Sequence, residues 1–213
     1  MVSNTTTSVR RGRRASVRGF SLIEVLVALT ITGTLLTATL AALDTSFKSY
    51  KLTTEGASTN VISRMVMHRV MTMIRTGSEF GPYPVDPLDP AQNPVESTFI
   101  EFVSLDDAAT GERQVLRVER RDPSTPANGP FELWYVQVDF SNGAEVGREE
   151  RPLLVGVQQV RFVLEYDVGP RLRTATVDLT VRPNDFQDAS FHVDLETPSI
   201  RLVSSVSPRR LAN

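Results

Sequence analysis

Apolar positions along the chain follow three successive rules. From Phe20 to Leu43 the residues are apolar or small and uncharged, with Glu24 the only charge before Asp44 ends the run. At about 1.5 Å of rise per residue, a helix over these twenty-four residues covers roughly 36 Å, against about 30 Å for the hydrocarbon core of a bilayer. The run therefore predicts a helix able to span a membrane. Beyond it the pattern steps by three or four with one short step, through Phe47, Tyr50, Thr54, Ser58, Val61 and Ile62, and Ile62, Val66, Val70, Met73 and Ile74 continue one stripe. One helix is thus expected from about Phe20 to Thr76, amphipathic in its second half. Gly77 marks its end, and Arg75 places a cation at the negative end of the helix dipole. Gly33 and Gly56 lie inside it, each costing about 1 kcal/mol relative to alanine, and mark local bending or close packing.

The third rule is alternation, and a break precedes it. Residues 81–96 hold Pro82, Pro84, Pro87, Pro90 and Pro94, which exclude a helix or a central strand and predict a stiff surface connection, a linker rather than a partner-binding loop. After it, Leu116 and Val118; Trp134, Val136, Val138 and Phe140; Val160, Phe162, Leu164 and Tyr166; Ala175, Val177, Leu179 and Val181; and Phe191, Val193 and Leu195 alternate with mostly polar neighbours. A period of two predicts half-buried strands. Turn signals separate them at Thr110-Gly111, Asn142-Gly143, Gly169-Pro170 and Pro183-Asn184-Asp185. Strands joined by short turns pair antiparallel with one face covered, and the 61–74 stripe is the expected cover. The predicted class is α+β, a long N-terminal helix packed on an antiparallel β-sheet.

Charge adds a direction to this picture. The 213 residues carry a formal net charge of −2, but Arg10, Arg11, Arg13, Arg14 and Arg18 all fall in a head without acids, and the remainder holds 18 basic and 25 acidic residues. Arginines just before an apolar run stay on the cytoplasmic side, so the body is expected on the opposite face of the membrane. A mildly acidic body offers no phosphate-neutralising face, and no nucleic-acid partner is expected. With no cysteine in the chain, a body in an oxidising compartment relies on its core or its partners. Two plainer readings of the apolar run remain open, a secretory signal cut near Ala41 or Ala42 and an uncleaved single-span anchor.

Glu24 calls for a use, because an ionised acid within a span is expensive. A cut between Gly19 and Phe20 would create an α-amino group four residues away, and in a stack of parallel helices the amine of one subunit would meet the carboxylate of the next. A satisfied buried pair adds little net stability but fixes register. The segment Gly19-Phe20-Ser21-Leu22-Ile23-Glu24-Val25-Leu26-Val27-Ala28-Leu29 resembles the N-terminus of type IV prepilins and type II secretion pseudopilins. The resemblance implies cleavage at Gly19–Phe20 by prepilin peptidase, N-methylation of Phe20, and pairing of Glu24 with a neighbouring subunit's N-terminus. It also implies a pilin-like fold, an inner-membrane assembly platform, membrane lipid and other pilin or pseudopilin subunits as partners, and a bacterial inner-membrane location with the body periplasmic. Many major pilins bend the helix with a mid-span proline, whereas this chain has Ala41 and Ala42 in that neighbourhood, which favours a minor, priming subunit. The stretch Leu153–Asp167 with the following 174–182 strand is similar to J-type minor pseudopilins and PilW-like minor pilins.

The resulting division is a basic leader at 1–19, a transmembrane helix at 20–43, its amphipathic continuation at 44–77, a Pro-rich loop at 78–97, a β-rich body at 98–205 and a tail at 206–213. No enzyme, cofactor or metal site is expected. His68 lies among Arg64 and Arg75, His192 alternates outward with Asp194 and Glu196, and neither has cysteine or histidine neighbours for zinc. Asp86 with Asp89, and Asp185 with Asp188, offer oxygen ligands but not an EF-hand spacing. Met65, Met67, Met71 and Met73 read as packing against the sheet rather than as a promiscuous binding face.

Overall fold

The structure is a computed structural model describing residues 19–125, 129–169, 171–182 and 199–209. The predicted strand through Phe191, Val193 and Leu195, the turn at 183–185, Pro170, and the pair Asp185 and Asp188 with His192 lie outside the described residues. The chain divides into two compact units, Met1–Ser49 and Tyr50–Asn213. A helix, α1, occupies Leu22–Thr76, close to the predicted span.

Among the described residues of the second unit eight strands follow: β1 Ser78–Gly81, β2 Val95–Ser97, β3 Phe99–Asp107, β4 Glu112–Arg121, β5 Phe131–Ser141, β6 Ala144–Asp167, β7 Arg171–Val181 and β8 Ile200–Val206. They form one antiparallel sheet in the order β1-β3-β4-β5-β6-β7-β8, with β2 paired to β6. Pro82 follows β1 and Pro94 precedes β2, and no helix is described between them. Strand structure enters the predicted Pro-rich connection at both ends, but β1 is an edge strand and β2 pairs on one side only, the places where a missing N–H donor is tolerated. The Asn142-Gly143 hairpin forms as predicted, with Ser141 opposite Ala144 and both turn residues at positive φ, the conformation a two-residue primed turn requires.

β6 runs for 24 residues because its two halves serve different neighbours. Ala144–Val157 pair with β5 and Val157–Asp167 with β7. Gly156, at φ 72°, sits at the changeover, where no side chain would be comfortable.

The core gathers on one sheet face beneath the second half of α1. Met67, Val70 and Ile74 meet Phe80, Ile100, Phe102, Leu116, Val118, Phe162, Leu164 and Val177. The predicted stripe is rotated slightly: Ser63, Met67, Val70 and Ile74 are the buried helix positions, while Ile62 is 48% exposed and Met65 67%. Met71 and Met73 pack partly buried against the same core, so three of the four methionines serve packing.

β5 departs from expectation in phase. Leu133 and Tyr135 enter the core, and register shifts near Phe131 and Leu133 accompany the change. The predicted set Trp134, Val136, Val138 and Phe140 points to the other face. That face is not bare, because arginine stems cover it. Arg117 lies over the Phe99 ring at 4.0 Å and Arg121 over Trp134 at 4.9 Å. Arg121 also bridges Glu119 and Glu150, and Arg148 joins Glu150 to Glu145. Beneath this lattice Glu132 is buried, accepting hydrogen bonds from Ser124 N and Oγ and from Trp134 Nε1.

Asp178 ties three strands together. Arg201 of β8 donates to it from Nε at 2.9 Å and from its terminal nitrogen at 2.7 Å, and Arg161 of β6 stands 3.5 Å away. The hydrogen-bonded Arg201 guanidinium holds the Asp178 carboxyl below its ordinary range. A depressed carboxyl stabilises the fold fully above its unfolded pKa of about 3.9, and the contribution disappears as pH falls through the lower folded value. Asp178→Asn is therefore expected to lower the urea midpoint at neutral pH, and the two midpoints are expected to converge only at the acid end of a series run down to about pH 2.

Candidate processing and assembly site

The N-terminal site begins where α1 begins. Ser21 caps the helix: its carbonyl accepts from Glu24 N at 3.0 Å and Val25 N at 3.2 Å, and its Oγ accepts from Glu24 N at 3.2 Å. Ser21-Leu22-Ile23-Glu24 has the spacing of a capping box, with serine at the cap and glutamate at the third helical position. This role for Ser21 escaped the pattern reading, although the S-x-x-E spacing carried the signal. All the capping contacts lie downstream of the Gly19–Phe20 bond, so cleavage there leaves the start of the helix intact.

Gly19 and Phe20 precede the helix and are exposed, Phe20 by 82%. A peptidase needs an extended backbone, and the bond between them is outside the helical ladder. A Cβ built on Gly19 meets nothing within 4 Å. The fold therefore places no steric demand for glycine here, and any such demand comes from another molecule. Ser21→Ala is expected to weaken the first turn by about 1 kcal/mol, read as faster hydrogen exchange at the Glu24 and Val25 amides with the rest of the helix unchanged.

Glu24 is exposed in the first turn of α1, a position favourable for an anion beside the helix N-terminus. Among the described residues its carboxylate has no hydrogen-bond or ion partner. Gly19, Phe20 and Glu24 are thus gathered within two turns, and no contact among the described residues satisfies the acid.

The remainder of the first unit suits an apolar medium. The hydroxyls of Thr30, Thr32, Thr34, Thr37, Thr39 and Thr45 each donate to a carbonyl three or four residues back, so the threonines carry no unmet polar group. Leu22, Leu29, Leu35 and Leu36 are all more than half exposed. A Cβ built on Gly33 also meets nothing, so close packing at this glycine would involve a helix from elsewhere. α1 contains a segment long and apolar enough to cross a membrane.

The other sequence candidates resolve into structure. Asp86 Oδ1 accepts from Leu88 N, and Asp89 accepts from Ala91 N and Gln92 Nε2, so both carboxylates hold turns within the loop. That loop is fastened to the sheet: Asn93 exchanges hydrogen bonds with the Tyr166 backbone, and Tyr166 OH donates to Pro82 O at 2.9 Å. Burial, with Tyr83 alongside, pushes the Tyr166 phenol up, which keeps it a donor. His68 is exposed on α1.

Among known proteins, residues 14–40 match the family described as the prokaryotic N-terminal methylation motif. No curated protein and no solved structure matches the chain. The chain carries a methylation motif at the head of a membrane-length helix.

Proposed function

We propose that this chain, as the bearer of that motif, is a pilin-like structural subunit: cut between Gly19 and Phe20 by prepilin peptidase, methylated on the Phe20 amine, and assembled through its N-terminal helix into a type II secretion pseudopilus or a type IV pilus. The match over residues 14–40 is the observation that carries the reading. The exposed, non-helical Gly19–Phe20 bond, the cap that survives cleavage and the internally satisfied threonines all support it.

In this reading the role is mechanical rather than catalytic. The basic head stays cytoplasmic, the apolar half of α1 is drawn from the bilayer into a bundle of like helices, and the Phe20 amine of one subunit neutralises Glu24 of the next. A buried acid without such a partner is expensive, so incorrect stagger is disfavoured and Glu24 sets register. The β-rich body is then presented on the outside of the filament. A minor, priming position, of the J-type or PilW-like kind, is the finer assignment, favoured by the proline-free span. The partners are other pilin or pseudopilin subunits, the inner-membrane assembly platform and lipid.

The decisive experiment is the intact mass and N-terminal peptide of the protein recovered from membranes, with and without prepilin peptidase. A methylated Phe20 terminus that depends on the peptidase is expected. A terminus near Ala42 would identify a secreted protein instead, and a retained leader in peptidase-positive cells a simple anchor.

A further inference from the structure

A groove of about 370 Å³ lies between the second half of α1 and strand β8. One wall carries Arg64, His68 and Arg75 from exposed helix positions, and the other is β8, with Leu202, Ser204 and Val206 on the core-facing side. Among the described residues no aspartate or glutamate lines it. In a chain whose body is acidic overall, this is a local concentration of positive charge. β8 also ends the sheet order, and among the described residues nothing pairs with its outer edge. An open strand edge exposes backbone donors and acceptors in a row and invites strand addition.

We propose that this groove docks an extended, acidic segment of a partner protein, added as a further strand along β8 with its carboxylates facing Arg64, His68 and Arg75. The two features select different properties of one occupant. The edge of β8 requires extended backbone with free N–H and C=O groups. The helix wall requires negative charge on alternate residues, since a strand laid there turns every second side chain towards α1. Met67 and Met71 form an adaptable apolar floor for small side chains between them. Complementary charge would speed encounter and reject basic segments, while the ladder holds the complex.

The test uses the full chain in detergent micelles and fluorescein-labelled seven-residue peptides, read by anisotropy. A peptide alternating valine and glutamate is expected to bind, one alternating valine and lysine is not, and binding is expected to weaken as salt rises. Arg64→Glu with Arg75→Glu, both at exposed positions, is expected to reduce affinity by roughly tenfold or more. The neutral pair Arg64→Gln with Arg75→Gln is expected to fall between, and a thermal melt of each variant checks folding. N-methylating alternate peptide nitrogens is expected to abolish binding, because it removes the ladder donors. Absence of binding, equal binding of the lysine peptide, or indifference to N-methylation would each overturn the proposal. So would binding that appears only after residues 183–198, which hold Asp185, Asp188, Asp194 and Glu196, are replaced by a Gly-Ser linker, since the chain itself would then be the occupant. These readouts require no filament, so they succeed or fail independently of cleavage at Gly19–Phe20.

Discussion

Glu24→Gln and Glu24→Ala are expected to leave cleavage and membrane insertion largely intact and to cut incorporation into filaments by at least about tenfold. Removing one partner of a buried ion pair costs about 3–5 kcal/mol, because the other charge is left behind, and a filament repeats the loss at every contact. The structure makes the separation of effects plausible in physical terms. Among the described residues the Glu24 side chain holds nothing, whereas its backbone N–H, which either variant keeps, is the group bound by Ser21. Helix start and scissile bond therefore remain as they are. Shear preparations compared with membrane fractions give the ratio directly, and normal incorporation of both variants would remove the register role.

The second large effect belongs to the junction between α1 and the sheet. Phe102 is 1% exposed, stacks against Phe80 at 5.5 Å between ring centroids, and closes over Gly77. Phe102→Ala is expected to destabilise the fold by about 3–5 kcal/mol, a large share of the 5–15 kcal/mol typical of a whole domain. Gly77→Ala fails for the opposite reason: its new Cβ would run into Phe102 Cδ2, and such overpacking costs about 1–3 kcal/mol. Because Phe102→Ala opens the space that the Gly77→Ala methyl needs, the double variant is expected to lose less than the sum of the two. Denaturant midpoints of the four chains test this, and strict additivity would show that the two residues do not share one space.

Much of this architecture was legible because its signals are local. The helix from Leu22 to Thr76, the Asn142-Gly143 hairpin and the core strands through Phe162 and Val177 each announce themselves by a period or a turn residue. β3 and β8 were not read. β8 offers the mixed series Ile200, Leu202, Ser204 and Val206 on its inner side, a weak alternation that becomes a strand only because β7 lies beside it. The phase of β5 was hidden for a related reason. Trp134 and Val136 look like core residues, yet neither joins the cluster beneath α1: Arg121 lies over the Trp134 ring, and Val136 is buried outside that cluster. At the N-terminus the reading reached Gly19, Phe20 and Glu24 through a motif, and missed Ser21 because a cap is recognised by geometry at the helix start. Under the proposed assembly the partner of the Glu24 carboxylate belongs to a neighbouring subunit, which one sequence does not contain.

The way the sheet is attached to α1 has a mechanical meaning. Edge strand β1 continues from the helix through Gly77, while beyond β8, at the opposite edge, Arg209 N bonds the carbonyl of Arg75 at 2.8 Å. A pull along the helix therefore enters the sheet from both margins at once. Neither margin can be peeled away by itself until that short bond parts or β1 slides past β3, and between them the load spreads through the packed layer around Ile74.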